Sequence, residues 1–148
     1  MSLTAIQIYV AFVGLQLALI DSQKYLLPND LTKKVFLAAV LAQIVDYRPQ
    51  MMTACFFLIA CHLIFAFVVP RMFGMGDAKF MAGLSLGLIS SQSVWNWIFL
   101  AYFMGAIHGA YLKIRWKSSR IPFGVSLYGA WMLIIVGEWG RVAMDYSW

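Results

Sequence analysis

Two aspartates are the side chains of this sequence with the clearest potential for chemistry. Asp21 directly follows an apolar run, and Asp77 directly precedes another. An ionisable residue at a membrane boundary costs free energy unless it is paired or hydrated, so it is a functional candidate. Two carboxyl groups in a partly dry site separate their proton affinities. One can then take a proton from water while the other protonates a leaving amine, which is the chemistry of peptide hydrolysis.

The stretch before Asp77 is rich in glycine, since residues 74–79 read GMGDAK. Gly74 and Gly76 allow the backbone to bend and another segment to approach closely. Asp77 would then stand near the positive amino terminus of the following helix, which favours a carboxylate. Taken alone, each aspartate has a simpler interpretation as a hydrated residue at the end of a membrane helix. The context of Asp77 favours the functional interpretation.

The composition places both aspartates in a membrane protein. Of the 148 residues, 63% are hydrophobic and 11% are charged, whereas a soluble domain carries about 25% charged residues. Since a span needs about 20 residues, the sequence predicts an all-α membrane protein with six transmembrane helices in one domain, residues 1–148. Two segments are short, so we expect their helices to extend into polar residues or to cross a thinned membrane. The predicted segments are Leu3–Ile20, Leu31–Val45, Met51–Val69, Ala78–Ile89, Val94–Ile114 and Ile121–Gly137.

The basic residues predict the orientation of these six helices. Loops on one side would carry nine of the 11 basic residues, and the other side would carry only Arg48 and Arg141. Because cytoplasmic loops are enriched in Lys and Arg, the first side is cytoplasmic and both termini face the periplasm. Asp21 and Asp77 then lie on the same, cytoplasmic side. The nine residues are Lys24, Lys33, Lys34, Arg71, Lys79, Lys113, Arg115, Lys117 and Arg120.

Other functions have weaker support in the sequence. The net charge of +5 is explained by short loops that contact anionic lipid headgroups of the bilayer, so we expect no nucleic-acid partner. His62 and His108 lie in different apolar segments with no third ligand at a suitable spacing. We therefore predict no metal and no cofactor, and we interpret both histidines as buried and hydrogen-bonded.

Three motifs resemble those of the type IV prepilin peptidases, a family of GxGD intramembrane aspartic proteases. Residues 74–79 match the GxGDxK signature of that family. Asp21 is followed seven residues later by Pro28 and Asn29, which matches the first motif of the family. Residues 121–124, which read IPFG, resemble the third motif, which opens the last helix.

The resemblance implies a bacterial inner-membrane hydrolase of type IV pilus assembly and secretion. Such an aspartic-type endopeptidase cleaves the leader of prepilin or pseudopilin substrates on the cytoplasmic side. Asp21 and Asp77 match the two catalytic aspartates. Lys79 matches a basic residue that could hold a backbone carbonyl or bias the charge of the pair. The supporting residues implied by the motifs are Gly74, Gly76, Lys79, Pro28, Asn29, Pro122 and Gly124.

The chain also departs from the larger members of that family. Those members carry an additional cytoplasmic segment with paired CxxC motifs and methylate the new amino terminus, whereas this sequence has no CxxC. It resembles the short, peptidase-only members, such as those of tight-adherence (Flp) pili, so we predict no methyltransferase activity and no zinc. A non-catalytic polytopic membrane protein, either an assembly factor or a small transporter, is the alternative.

Overall fold

The computed structural model describes residues 3–68, 74–116 and 121–145. Six helices and no strand occur in these ranges, which confirms the predicted all-α class. Val69, Arg71, Lys117 and Arg120, which entered the predicted spans and charge count, lie outside the described residues. The helices are α1 Leu3–Lys24, α2 Asn29–Val45, α3 Pro49–Val68, α4 Met75–Leu86, α5 Ser91–Trp116 and α6 Phe123–Asp145.

Four of these helices, α1, α3, α5 and α6, are long and apolar enough to cross a membrane. The two predicted short segments are also the two shortest helices. α2 extends the second predicted segment back to Asn29 and reaches 17 residues. α4 begins at Met75 but ends at Leu86, before the predicted end at Ile89, and has only 12 residues. A straight span needs about 20 residues, so α4 by itself is shorter than a full span.

α4 lies at the centre of the bundle. It packs against α2, α3 and α6, while α1 contacts α2 and α6, and α5 contacts α3 and α6. All residues from 80 to 88 are buried, and Phe80 and Leu84 are among the fully buried side chains of the core. The surrounding helices expose large apolar side chains such as Phe12, Phe67 and Phe99 on their outer faces, as expected for contact with lipid.

Side chains from three other helices satisfy the carboxyl end of α4. The last carbonyls of a helix lack partners within that helix, and leaving them unpaired in apolar surroundings costs several kcal/mol each. Trp131 on α6 donates its indole N–H to the carbonyl of Leu84 at 2.9 Å. Gln43 on α2 donates to the carbonyl of Leu86 at 2.7 Å, and Gln7 on α1 donates to the carbonyl of Gly87 at 3.3 Å. These donors explain how α4 can end after 12 residues.

Candidate active site

Asp21 lies in the last turn of α1, one turn further into the helix than the sequence predicted. The helix continues to Lys24 and ends at Tyr25, whose φ of 52° is left-handed. The Tyr25 N–H donates to the Asp21 carbonyl at 2.9 Å, which is the αL form of helix termination. The Asp21 side chain is buried, with 4% exposure. It therefore points into the bundle rather than into water.

The amino terminus of α6 supplies donors to the Asp21 carboxyl group. The N–H of Gly124 donates to Oδ2 of Asp21 at 2.8 Å, and the N–H of Val125 also bonds this carboxyl. Pro122 precedes the helix, and its carbonyl accepts from Val125 at 3.3 Å. The first N–H groups of a helix have no intrahelical acceptor and attract negative charge. Gly124 therefore contacts Asp21, and Pro122 lies directly before the beginning of α6.

Asp77 stands in the first turn of α4, three residues after Gly74, which occupies the N-cap position. The Gly74 carbonyl accepts from the Asp77 N–H at 3.1 Å, and the Gly74 N–H donates to the Asp77 carboxyl group. An acidic side chain at the third helical position that accepts from the N-cap N–H is one half of a capping box. The spacing from the first glycine to the aspartate in GxGD is thus the spacing of a helix cap.

The two glycines of this motif provide space rather than an unusual backbone conformation. Gly74 has φ −80° and ψ 143°, which any residue can adopt, and no glycine among the described residues has a positive φ. The expected bend therefore does not depend on glycine dihedrals. A Cβ atom on Gly74 would lie 3.3 Å from Oδ2 of Asp77, and one on Gly76 would lie 3.2 Å from Cβ of Leu27. The expectation of a close approach is confirmed at Gly76.

The two carboxyl groups interact with each other. Burial, followed by the negative charge of Asp21, raises the pKa of Asp77 to about 7, although the hydrogen bond from Gly74 acts in the opposite direction. Asp77 stands at the beginning of α4, outside the four helices long enough to cross a membrane. The site therefore combines one carboxyl that receives N–H groups from a neighbouring helix with one that retains a proton near neutral pH.

Lys79 connects two of the sequence motifs. Its Nζ donates to Oδ1 of Asn29 at 3.0 Å, and Pro28 is the N-cap residue of α2. This contact joins the beginning of α4 to the beginning of α2. This hydrogen bond of Lys79 is made to a side-chain oxygen. Pro28 and Asn29 support the geometry of the site from one helix away.

Leu27 also belongs to the site, although in the sequence analysis it was only the residue beside Pro28. Cβ atoms on Gly76 and Gly124 would make tight contacts with its side chain, at 3.2 and 3.3 Å respectively. It thus packs between the amino termini of α4 and α6. The position of Leu27 directly before the Pro-Asn pair is the only sequence signal that could have indicated this role.

Tyr102 on α5 and His62 on α3 form a pair that contacts the beginning of α6, and neither residue belongs to a recognisable motif. The Tyr102 side chain is exposed, and its ring lies 5.3 Å from that of Phe123. Its hydroxyl is hydrogen-bonded to Nε2 of His62. The interpretation of His62 as buried and hydrogen-bonded is confirmed, whereas His108 is only half-buried. Within the described ranges, no group of three or more His, Cys, Asp or Glu side chains could hold a metal ion.

These features define a helical, multi-pass membrane protein with two interacting carboxyl groups where helix ends converge. The sequence model of the type IV leader peptidase family matches residues 8–110, which is well over half of the chain. The chain belongs to this family of proteases, which confirms the resemblance seen in the motifs. Asp21 and Asp77 lie within the matched residues, and Gly124 lies beyond them. Comparisons with curated proteins and with solved structures gave no match.

Proposed function

We propose that the protein is an intramembrane aspartic endopeptidase that removes the leader peptide of prepilins or pseudopilins. The observation that supports this proposal is that Leu27 packs against both Gly76, which precedes Asp77, and Gly124, whose N–H bonds Asp21, so that both aspartates stand where α1 ends and α4 and α6 begin. A pair of carboxyl groups with separated proton affinities can hydrolyse a peptide without a metal or a covalent intermediate. Membership of the type IV leader peptidase family supports the substrate class.

The two aspartates divide the chemistry of the proposed reaction. Asp21, which accepts N–H groups from α6, acts as the ionised member and takes a proton from the attacking water. Asp77, with a pKa raised to about 7 by burial and by Asp21, is the protonated member and polarises the peptide carbonyl. The water oxygen bonds to the carbonyl carbon, the C–N bond then breaks, and Asp77 gives its proton to the leaving amine.

The proposed orientation has six spans, both termini in the periplasm and cleavage at the cytoplasmic face of a bacterial inner membrane. Two contacts support the proposal that the short helices α2 and α4 both cross the membrane, side by side. Lys79 bonds Asn29 at their beginnings, and beyond their ends Arg48 donates to the carbonyl of Ile89. The substrate is a membrane-anchored helix whose leader enters the site from the cytoplasm. We further propose that the protein is peptidase-only and has no methyltransferase activity.

Co-expression with candidate prepilins in a host that lacks its own leader peptidase tests this function. We expect a loss of mass in the pilin equal to its leader, measured by mass spectrometry. Asp21→Asn and Asp77→Asn should each lower cleavage by about 100-fold or more, the range of a lost general acid or base. Asp46→Asn is the matched control, because Asp46 follows the opposite end of α2 and pairs with Arg48.

Equal amounts of each variant in the membrane fraction are required for this comparison. Retained cleavage in Asp21→Asn or in Asp77→Asn would exclude that residue from the proposed pair. Absence of cleavage by the unmodified protein with every tested prepilin would contradict the proposed substrate class.

A further inference from the structure

An open groove of about 440 Å³ lies on the outer surface of the bundle between α2, α3 and α4. Leu37 on α2, whose side chain is 61% exposed, and Ala82 on α4 belong to its apolar wall. Among the described residues that line it, Lys33 and Lys79 carry the only charges. Each lysine precedes the apolar lining residues of its helix, so this α2–α4 groove is basic at the end where the two helices begin.

A second groove, of about 280 Å³, lies on the other side of α2, where that helix packs against α1. Ile6 and Tyr9 line this α1–α2 groove from α1, and Leu37 and Leu41 line it from α2. Lys34 carries the only charge among the described residues of its lining. Leu37 belongs to both linings, so its side chain forms the ridge between the two grooves.

The spacing of the two lysines on α2 directs one into each groove. Lys33 precedes Leu37 by four residues, and Lys34 precedes Ala38 by four, so each lysine is a neighbour of an apolar lining residue on the helix surface. Both lysine side chains are exposed. A lysine in a membrane helix lays its stem along apolar surface and extends its ammonium group to the headgroup region.

Lys79 brings a third positive charge to the same end of the α2–α4 groove. Its Nζ bonds Oδ1 of Asn29, the first residue of α2, at 3.0 Å, and an ammonium group has two further hydrogens to donate. Asp30 is the acidic residue in the first turn of α2. Since three lysines stand against one aspartate at the beginning of this helix, the ligand that complements it is an anion.

The α2–α4 groove faces away from the carboxyl pair. Ala78, Lys79 and Ala82 line it from α4, and successive residues of a helix are rotated by about 100°. Asp77 is therefore about 100° or more around the helix from each of these three residues. A peptide bound by the carboxyl pair would reach α4 from another side, which favours a lipid rather than a substrate as the occupant of this groove.

We propose that the two grooves bind one anionic diacyl phospholipid. One acyl chain lies in each groove on either side of Leu37, and the phosphate group contacts Lys33, Lys34 and Lys79. Basic sites between membrane helices recognise anionic headgroups in this way. Such a site differs from the general attraction of basic loops to an anionic membrane, because it holds one lipid molecule and depends on the apolar grooves as well as on charge.

Native mass spectrometry of the full-length protein in detergent tests this binding without any substrate. With added dioleoyl phosphatidylglycerol, we expect one lipid per chain and an affinity about tenfold or more above that for dioleoyl phosphatidylcholine. Lysophosphatidylglycerol, which has a single chain, should bind more weakly, and glycerol 3-phosphate should not bind. Equal affinities for the two diacyl lipids, or for the diacyl and single-chain phosphatidylglycerols, would overturn the proposal.

Replacing the two lysines of α2 tests the headgroup contacts. Lys33→Gln combined with Lys34→Gln should weaken phosphatidylglycerol binding by about 30-fold, whereas arginine at both positions should retain it. The matched control combines Lys24→Gln with Lys113→Gln, which removes the same charge from exposed side chains of α1 and α5 and should leave binding unchanged. Equal losses in the two glutamine variants would show a general charge effect and overturn the proposal, as would unchanged binding in both.

Replacing the ridge between the grooves tests the acyl-chain contacts. Leu37→Asn should weaken phosphatidylglycerol binding several-fold, whereas Leu19→Asn should not, because Leu19 is also exposed but lines neither groove. Equal binding by these two variants would contradict the placement of the chains. Displacement of the bound lipid by a prepilin that the co-expression test has identified would assign the grooves to the substrate and overturn the proposal.

Discussion

Asp21 and Asp77 both accept backbone N–H groups, but these donors come from different sources. Asp77 accepts from Gly74 at the cap of its own helix. Asp21 stands near the carboxyl end of α1, where the helix dipole disfavours negative charge, and accepts instead from Gly124 on α6. The position of the Asp21 carboxylate therefore depends on the packing of α6, whereas that of Asp77 is largely local.

This dependence makes Gly124 the residue whose enlargement should most directly disturb Asp21. In Gly124→Ala, the new Cβ would lie 2.8 Å from Oδ2 of Asp21 and 3.2 Å from its Cγ. The carboxyl group must move, and a displacement of about 1 Å in a catalytic group can lower the rate by about 100-fold. We expect a loss of that order in prepilin cleavage, measured as the rate of leader release.

Gly137→Ala on the same helix is the matched control, because nothing lies within 4 Å of a Cβ at that position. It should retain full cleavage and melt at the same or a higher temperature, since alanine favours a helix by up to about 1 kcal/mol over glycine. Equal activity of Gly124→Ala and Gly137→Ala would show that the contact between α6 and Asp21 does not matter for the reaction.

The charge state of Asp77 predicts a pH dependence. Burial and the charge of Asp21 raise the pKa of Asp77 to about 7, and the proposed reaction needs the protonated acid. Cleavage should therefore decline as the pH rises above about 7, as measured by initial rates between pH 5 and pH 9. A rate that keeps rising above pH 8 would contradict the assignment of Asp77 as the proton donor.

The raised pKa of Asp77 also predicts how the free energy of unfolding depends on pH, and this can be measured without a substrate. An unfolded aspartate has a pKa of about 3.9, so between about pH 4 and pH 7 the folded protein binds more protons at Asp77. The free energy of unfolding should fall as the pH rises through that window. In Asp77→Asn this contribution disappears, and the melting temperature in detergent should vary less across the same pH range.

At the scale of helices, the packing of the bundle depends most on α4. It is short, central and closely packed, and its carboxyl end depends on donors from α1, α2 and α6. Its approach to α2 is made possible by Gly83, where a Cβ would lie 2.7 Å from Cγ1 of Val35 and 3.1 Å from the backbone nitrogen of Phe36. Small residues permit such contacts between membrane helices.

Gly83→Ala should therefore destabilise the bundle. Backbone atoms of α2 obstruct the new methyl group, so the two helices must separate, and overpacking of this kind costs about 1–3 kcal/mol. The higher helix propensity of alanine offsets up to about 1 kcal/mol of that cost. We expect a lower melting temperature in detergent, followed by the circular dichroism of the helices.

Gly87→Ala, one turn after Gly83 at the C-cap of α4, is the control for this substitution. Gly87 has φ −82°, and the nearest atoms to its Cβ would lie at 3.4 and 3.6 Å, which are ordinary contacts. This variant should melt close to the unmodified protein. Equal melting temperatures for the two variants would show that the contact of α2 with α4 is not tightly packed.

For the whole molecule, hydropathy and motifs predicted the helical class, the order of the helices and the segment that adjoins each aspartate. The predicted end of the fourth segment at Ile89 was wrong, because hydropathy continues beyond Leu86 while the backbone turns. That end is set by donors such as Gln43 and Trp131. These residues are remote in sequence, so no local pattern could reveal them.

Contacts between residues remote in sequence also limited the prediction of the candidate site. Asp21, Asp77, Pro28 and Asn29 were found because each belongs to a motif. The contact of Lys79 with Asn29 joins residues 50 positions apart, and no spacing within either motif predicts it. The pairing of His62 with Tyr102 was missed for the same reason, since it joins two apolar segments.

The orientation of the whole bundle is a prediction that labelling of single cysteines can test. In a background with Cys55→Ala and Cys61→Ala, an impermeant maleimide applied to spheroplasts reports the periplasmic residues. With six spans, cysteines at positions 50 and 92 should be labelled in intact spheroplasts. Cysteines at positions 33 and 75 should react only after lysis. All four native side chains are exposed, so burial does not complicate the comparison.

Each pair of sites brackets one short helix. Positions 33 and 50 are separated by the greater part of α2, and positions 75 and 92 are separated by α4. The contacts of Lys79 with Asn29 and of Arg48 with Ile89 join the two helices at both ends, so α2 and α4 should cross together. Labelling of both members of either pair from the same side would contradict six spans. The reverse pattern would place Asp21 and Asp77 in the periplasm, where a cytoplasmic leader could not reach them.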